Sequence, residues 1–134
     1  MKKRTIWLGL FLGLAAIGQA QDEDAYKTWM KSVAASMAEI NKNAKAGTWD
    51  AVTPEAKKLE TVFNQSAEFW TKKGGEDAVG WSKDAAGFAA KLSAASAAGN
   101  AADAEAALKS VSGSCRGCHT AHRDKAADGS YKIK

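Results

Sequence analysis

The sequence predicts an all-α fold, an antiparallel up-and-down bundle of four helices. Three observations carry that prediction. Apolar and small residues recur at alternating steps of four and three along four successive tracts, the near-3.5-residue period of helices packed side by side. The chain holds one proline, Pro54, and few β-branched residues among its Ala-, Lys-, Glu- and Asp-rich tracts, which favours helix over strand. Glycine-containing junctions keep most links between the tracts short, which makes successive helices antiparallel neighbours.

Taken in order, the first stripe is Tyr26, Met30, Val33, Met37, Ile40 and Ala44. The second is Ala56, Leu59, Phe63, Ser66 and Trp70, widened by Val62 and Phe69, with Thr53 expected as the N-cap and Pro54 as the first helical residue. "KAGTWDAVTP" before it reads as the longest link, and Gly74-Gly75 ends it. Trp81, Ala85, Phe88, Leu92 and Ala95 form the third stripe, and Gly99-Asn100 closes it and supplies Asn100 as the next cap. The last runs through Ala104, Leu108, Val111, Cys115, Cys118 and His122, with His119 beside it. These stripes are rich in alanine and poor in leucine, so the bundle buries little apolar area for its length and leaves room for a non-protein group in the core.

Residues 1–20, "MKKRTIWLGLFLGLAAIGQA", form a separate unit: a basic start, an apolar run from Ile6 to Ile17, and Gly18 and Ala20 at the spacing of a signal-peptidase site. The run is too short to span a bilayer, which takes roughly 17–25 residues. The expectation is a secretory signal cut after Ala20, a periplasmic location, no membrane insertion after cleavage, and one mature domain over 21–134. Without the signal, 16 basic residues face 15 acidic ones, so the formal charge falls from +4 to +1. With no basic stripe interleaved with aromatics, nucleic acid is not an expected partner.

The chemistry lies in "SCRGCHTAHRDK", which holds both cysteines and both histidines of the chain. Cys115, Cys118 and His119 stand in the pattern C-x-x-C-H, the attachment signature of a c-type haem. On a helix Cys118 lies at about −60° and His119 at about +40° from Cys115, so two thiols and an imidazole project into one arc. The thiols suit thioether bonds to the two vinyl groups, and the imidazole suits iron. Three other readings compete. A Cys115–Cys118 disulfide within one helix constrains little and leaves His119 unexplained. A thioredoxin-like pair calls for a βαβ context. A zinc site could draw on Cys115, Cys118, His119 and His122, but four ligands from one short segment close a tetrahedron only by distorting the helix.

An Ala-rich four-helix chain behind a signal segment, "VGWSKDAAGF" before the last connection, and "SGSCRGCHTAHR" with a basic residue four positions after the motif histidine resemble the cytochrome c-prime and cytochrome c-556 family of class II c-type cytochromes. The resemblance covers essentially all of 21–134 and is most specific in the final third. It implies one haem c per chain inside the bundle, attached through Cys115 and Cys118, with His119 as proximal axial ligand and Arg123 as the family's basic residue near the imidazole or a propionate. Matching "AYKTWMKSVAASMAEI" to the family's first helix puts Met30 at the distal position, where the c-556 members carry a methionine ligand; Met37, one heptad on, is read as core packing. The chain departs from the family at His122, where tyrosine is usual. His122 lies on the proximal side, so packing or hydrogen bonding is its expected role. A second departure is Tyr26-Lys27 in place of an early arginine, with Lys27 either substituting toward a propionate or lying on the surface. The resemblance also implies homodimers through the first two helices.

These expectations combine into a periplasmic monohaem cytochrome that transfers single electrons to and from partner proteins. The alternative, if Met30 does not ligate, is a five-coordinate haem protein that binds nitric oxide or carbon monoxide. No Ser/His/Asp set, paired carboxylates or phosphate loop points to an enzyme. Trp29, Trp49, Trp70 and Trp81 are read as packing residues, Trp81 foremost, and none is assigned to the site.

Overall fold

The computed structural model describes residues 13–134, with side chains from residue 22 onward. Four helices follow one another: α1 (Gly13–Ala46), α2 (Trp49–Lys73), α3 (Glu76–Ala97) and α4 (Ala101–His122). A small hairpin of β1 (Arg123–Lys125) and β2 (Tyr131–Ile133) follows. The four-helix bundle is as predicted; the hairpin is not. The expected signal, 1–20, lies outside the described residues except for the backbone of 13–20, which is helical and continuous with α1. Among the described residues no helix is long and apolar enough to cross a membrane.

The link between α1 and α2 is shorter than the sequence suggested, and the other two are short, as expected. Gly74 ends α2 at φ 83°, a left-handed conformation that costs glycine nothing, and its N–H reaches the Trp70 carbonyl. Asn100 caps α4 as expected, accepting a 3.1 Å hydrogen bond from the Asp103 N–H. The start of α2 is a correction. The helix begins at Trp49 rather than Pro54, because Trp49 and Val52 both have core positions to fill. Pro54 therefore sits inside the helix, and Thr53 is not a cap but shares a 2.9 Å hydrogen bond with Ser96 of α3.

Packing runs α1 on α2, α2 on α3 and α3 on α4, whereas α1 and α4 hardly touch. The core therefore has two parts. At the end where α1 meets α2 and α3 meets α4, Ile40, Val52, Leu92, Ala104 and Val111 are all 0% exposed. At the other end Tyr26, Phe69, Trp70 and Ala78 form a second, aromatic cluster, joined by Ile133 of the hairpin. Between α1 and α4 at that end the bundle stays open.

Candidate functional site

The opening is a cavity of about 1120 Å³, slightly above the roughly 300–1,000 Å³ common for sites of small molecules and cofactors. Helix α4 brings Cys115, Cys118 and His119 to its wall, all half-buried, and both thiols are free. Helix α1 brings Met30, also half-buried and packed against both core clusters. Arg123 lines the mouth from β1. The five residues singled out in the sequence thus meet in one cleft. Met37 lines the same cleft as well as packing on the core, more than the filler role expected of it.

The electrostatics follow from this placement. Burial first, then the neighbouring Cys115 sulfur, which opposes a second thiolate beside it, and the Asp77 carboxylate push the Cys118 thiol up to about 11. Burial likewise raises Cys115, so both sulfurs stay protonated at neutral pH. For His119, burial first and the Arg123 cation second push the imidazole below its ordinary value, which leaves it neutral with a free lone pair. Arg123 follows the last residue of α4. It opens β1, exposed to solvent, with its guanidinium 4.1 Å from the centre of the Tyr131 ring.

His122 takes the hydrogen-bonding role expected of it. Its Nε2–H donates to both carboxylate oxygens of Asp77 at 2.9 Å, tying the end of α4 to the start of α3. Its ring lies 4.5 Å from that of Trp70. The Lys134 N–H reaches the His122 carbonyl at 3.0 Å, so the hairpin is anchored to the same turn.

The aromatic wall is what sequence reasoning missed. Trp70 is 3% exposed and donates through Nε1 to the Tyr26 hydroxyl at 3.1 Å, and both residues line the cleft. Trp81 is not the core residue it was taken for: it is half-buried on the cleft wall, and its indole lies against Gly117. A Cβ at Gly117 would come within 2.8 Å of the Trp81 Nε1, so the glycine between the two cysteines makes room for that ring. The usable signal was "CRGC" itself, where a residue without a side chain between two cleft-facing thiols marks a close neighbour.

No protein-family model matches the chain, and no curated protein matches it.

Chemically, the cleft offers two reduced thiols, a neutral imidazole and a thioether on apolar and aromatic walls. That set suits a large, flat, apolar group held through sulfur and through one or two axial donors. It does not suit zinc. Among the described residues no three His, Cys, Asp or Glu side chains converge as a metal site, and His122 is engaged with Asp77.

Proposed function

We propose that the chain is a periplasmic monohaem c-type cytochrome of the four-helix kind, exported by residues 1–20, that carries single electrons between partner proteins. The observation that carries this reading is that the C-x-x-C-H segment and Met30 face one cleft from the two helices that do not close on each other. The cleft's size and apolar walls fit a haem c, and its donors fit the group's attachment chemistry. Cys115 and Cys118 would hold it through Sγ, and His119 and Met30 would ligate its iron. When bound, it supplies a one-electron iron couple.

The protein's own residues then have separate tasks. His119 keeps a ring nitrogen unprotonated, helped by burial and by Arg123. The His122–Asp77 contact fixes the last turn of α4 and with it the direction of His119. Trp70, Tyr26 and Trp81 exclude water from one wall, and the Trp70–Tyr26 hydrogen bond leaves neither polar atom unpartnered there. As an iron ligand, the soft Met30 sulfur would favour the reduced state and raise the potential, which suits a carrier.

The deciding experiment is the visible spectrum of the exported protein, ferric and dithionite-reduced, with and without nitric oxide. The expected result is covalent haem with sharp low-spin bands and a weak red methionine-to-iron band that disappears in Met30→Ala. Broad high-spin bands that respond to nitric oxide in the unaltered protein would replace the carrier with a gas-binding protein. A protein that leaves the exporting host without covalent haem would end the cytochrome reading.

A further inference from the structure

Residues 21–134 are almost neutral as a whole, yet the fold does not distribute their charge evenly. The cleft is lined by six cations, Lys27 and Lys31 from α1, Arg116 from α4, Arg123 and Lys125 from β1 and Lys132 from β2, and by one carboxylate, Asp124. All six are exposed, and among the described residues none is in an ion pair. That leaves ten cations and fourteen carboxylates on the rest of 21–134, so the mouth carries a net +5 and the remainder a net −4. If a haem is bound, its two propionates still leave the mouth positive.

Amid these cations stands Tyr131, which at 53% is the exposed large hydrophobic side chain among the described residues. It rests under the Arg123 guanidinium at 4.1 Å, on a hairpin anchored through Ile133 to the aromatic cluster and through the Lys134 N–H to α4. An aromatic and an arginine held together on an anchored hairpin, surrounded by long cations, is the composition of an interface anchor with a steering rim. The separation of charge makes the molecule a dipole that turns this face toward a negative surface before contact.

We propose that the mouth of the cleft, with the hairpin at its centre, is the docking face for a protein that presents an acidic patch around an apolar spot. Lysines 31 and 132 steer, and Tyr131 enters the apolar spot. The identification of that protein as a redox partner rests on the electron-carrier reading; the docking face itself does not.

The test titrates the full exported chain, with whatever cofactor it carries, against a glutamate-rich octapeptide with a central leucine at low ionic strength, following amide shifts. Phosphatidylglycerol vesicles and a short DNA duplex are run alongside. Shifts are expected at residues 27–31 and 116–133. The double variant Lys31→Glu/Lys132→Glu should weaken the peptide at least about fivefold, and Tyr131→Ser about threefold. Lys57→Glu/Lys83→Glu, with the same change of net charge on exposed helix positions away from the cleft, should leave affinity unchanged. Equal weakening in both double variants, weakening in neither, no effect of Tyr131→Ser, or tighter binding of vesicles or duplex than of peptide each overturns the proposal. The absorption spectrum of the same preparation tests the haem separately, so loss of one reading is not mistaken for loss of the other.

Discussion

The two ends of the bundle are built from the same helices and solve opposite problems. At the closed end, aliphatic residues of all four helices meet, and Ile40, Val52, Leu92 and Val111 are sealed from solvent. At the open end the packing is one-sided. Tyr26, Phe69 and Trp70 stack and cross at 4.5–5.8 Å between ring centres, while α4 offers Ser112, Gly113 and Ser114 just before its cysteines. Small residues on a helix that hardly touches its opposite neighbour leave a void, and a void with no partner atoms forfeits dispersion on every wall. The closed end therefore supplies the stability, and the open end spends part of it on a cleft.

The largest effect that tests this division is a truncation on each side. In the chain free of cofactor, Leu92→Ala should cost about 2–5 kcal/mol, since Leu92 is fully enclosed and its removal leaves a cavity. Met37→Ala, at a half-buried side chain that already faces the cleft, should cost about 1 kcal/mol. Urea unfolding midpoints of the two variants check the ratio. Equal losses would mean that the cleft is packed as tightly as the closed end.

A finer test uses two glycines four residues apart on α4. Gly117→Ala places a methyl 2.8 Å from the Trp81 Nε1, so the indole must swing toward the cleft, at a cost of about 1–3 kcal/mol. Gly113→Ala meets nothing within 4 Å and should stabilise the helix by about 0.4–1 kcal/mol. Opposite signs in the two unfolding curves, with a change in tryptophan fluorescence for Gly117→Ala alone, are the expected outcome. If Gly117→Ala is as benign as Gly113→Ala, Trp81 does not constrain the cysteine segment.

The closed end was far more legible in the sequence than the open one. Ile40, Leu59, Leu92 and Val111 were readable as core because a helix must bury whatever recurs at its own period. The attachment segment was readable because Cys115, Cys118 and His119 are neighbours on one turn, so their spacing alone fixes their shared direction. Its surroundings were not. Trp70 and Trp81 carry no sequence mark that separates a core ring from a cleft wall. The hairpin has three residues per strand, too few for an alternating pattern, and its one cue was the Asp128-Gly129 turn. The basic rim joins Lys27 and Lys31 to cations near the end of the chain, a juxtaposition that net charge conceals and that only the packing of α1 and the hairpin about one cleft creates. The start of α2 was misread for the opposite reason: Pro54 is a strong local signal, and the burial of Trp49 and Val52 overrode it.

The smallest effect expected is set by pH and acts on both ends through exposed or lightly covered carboxylates. At the open end Asp77 is held below its ordinary 3.8, first by the His122 hydrogen bond and then by the Ala78 N–H. At the closed end Glu55 is held below its ordinary 4.5 by Lys58 and by the Ser36 hydroxyl, which donates at 2.8 Å from the facing helix. A carboxyl that gives up its proton more readily in the folded chain stabilises the fold wherever it is ionised. The contribution is complete above the ordinary carboxylate value and drains away as pH falls through the lowered, folded one. Both ends should therefore loosen below about pH 4 rather than near neutrality. The two contacts can be told apart by variant: Asp77→Asn should remove the acid response of Trp70 fluorescence, because the His122 ring tied to Asp77 lies against that indole. Glu55→Gln should leave the Trp70 signal intact and alter only the amides of residues 36 and 55. If Asp77→Asn leaves the acid response of Trp70 unchanged, the clasp between α3 and α4 does not depend on that carboxylate, and the aromatic cluster alone holds the last turn in place.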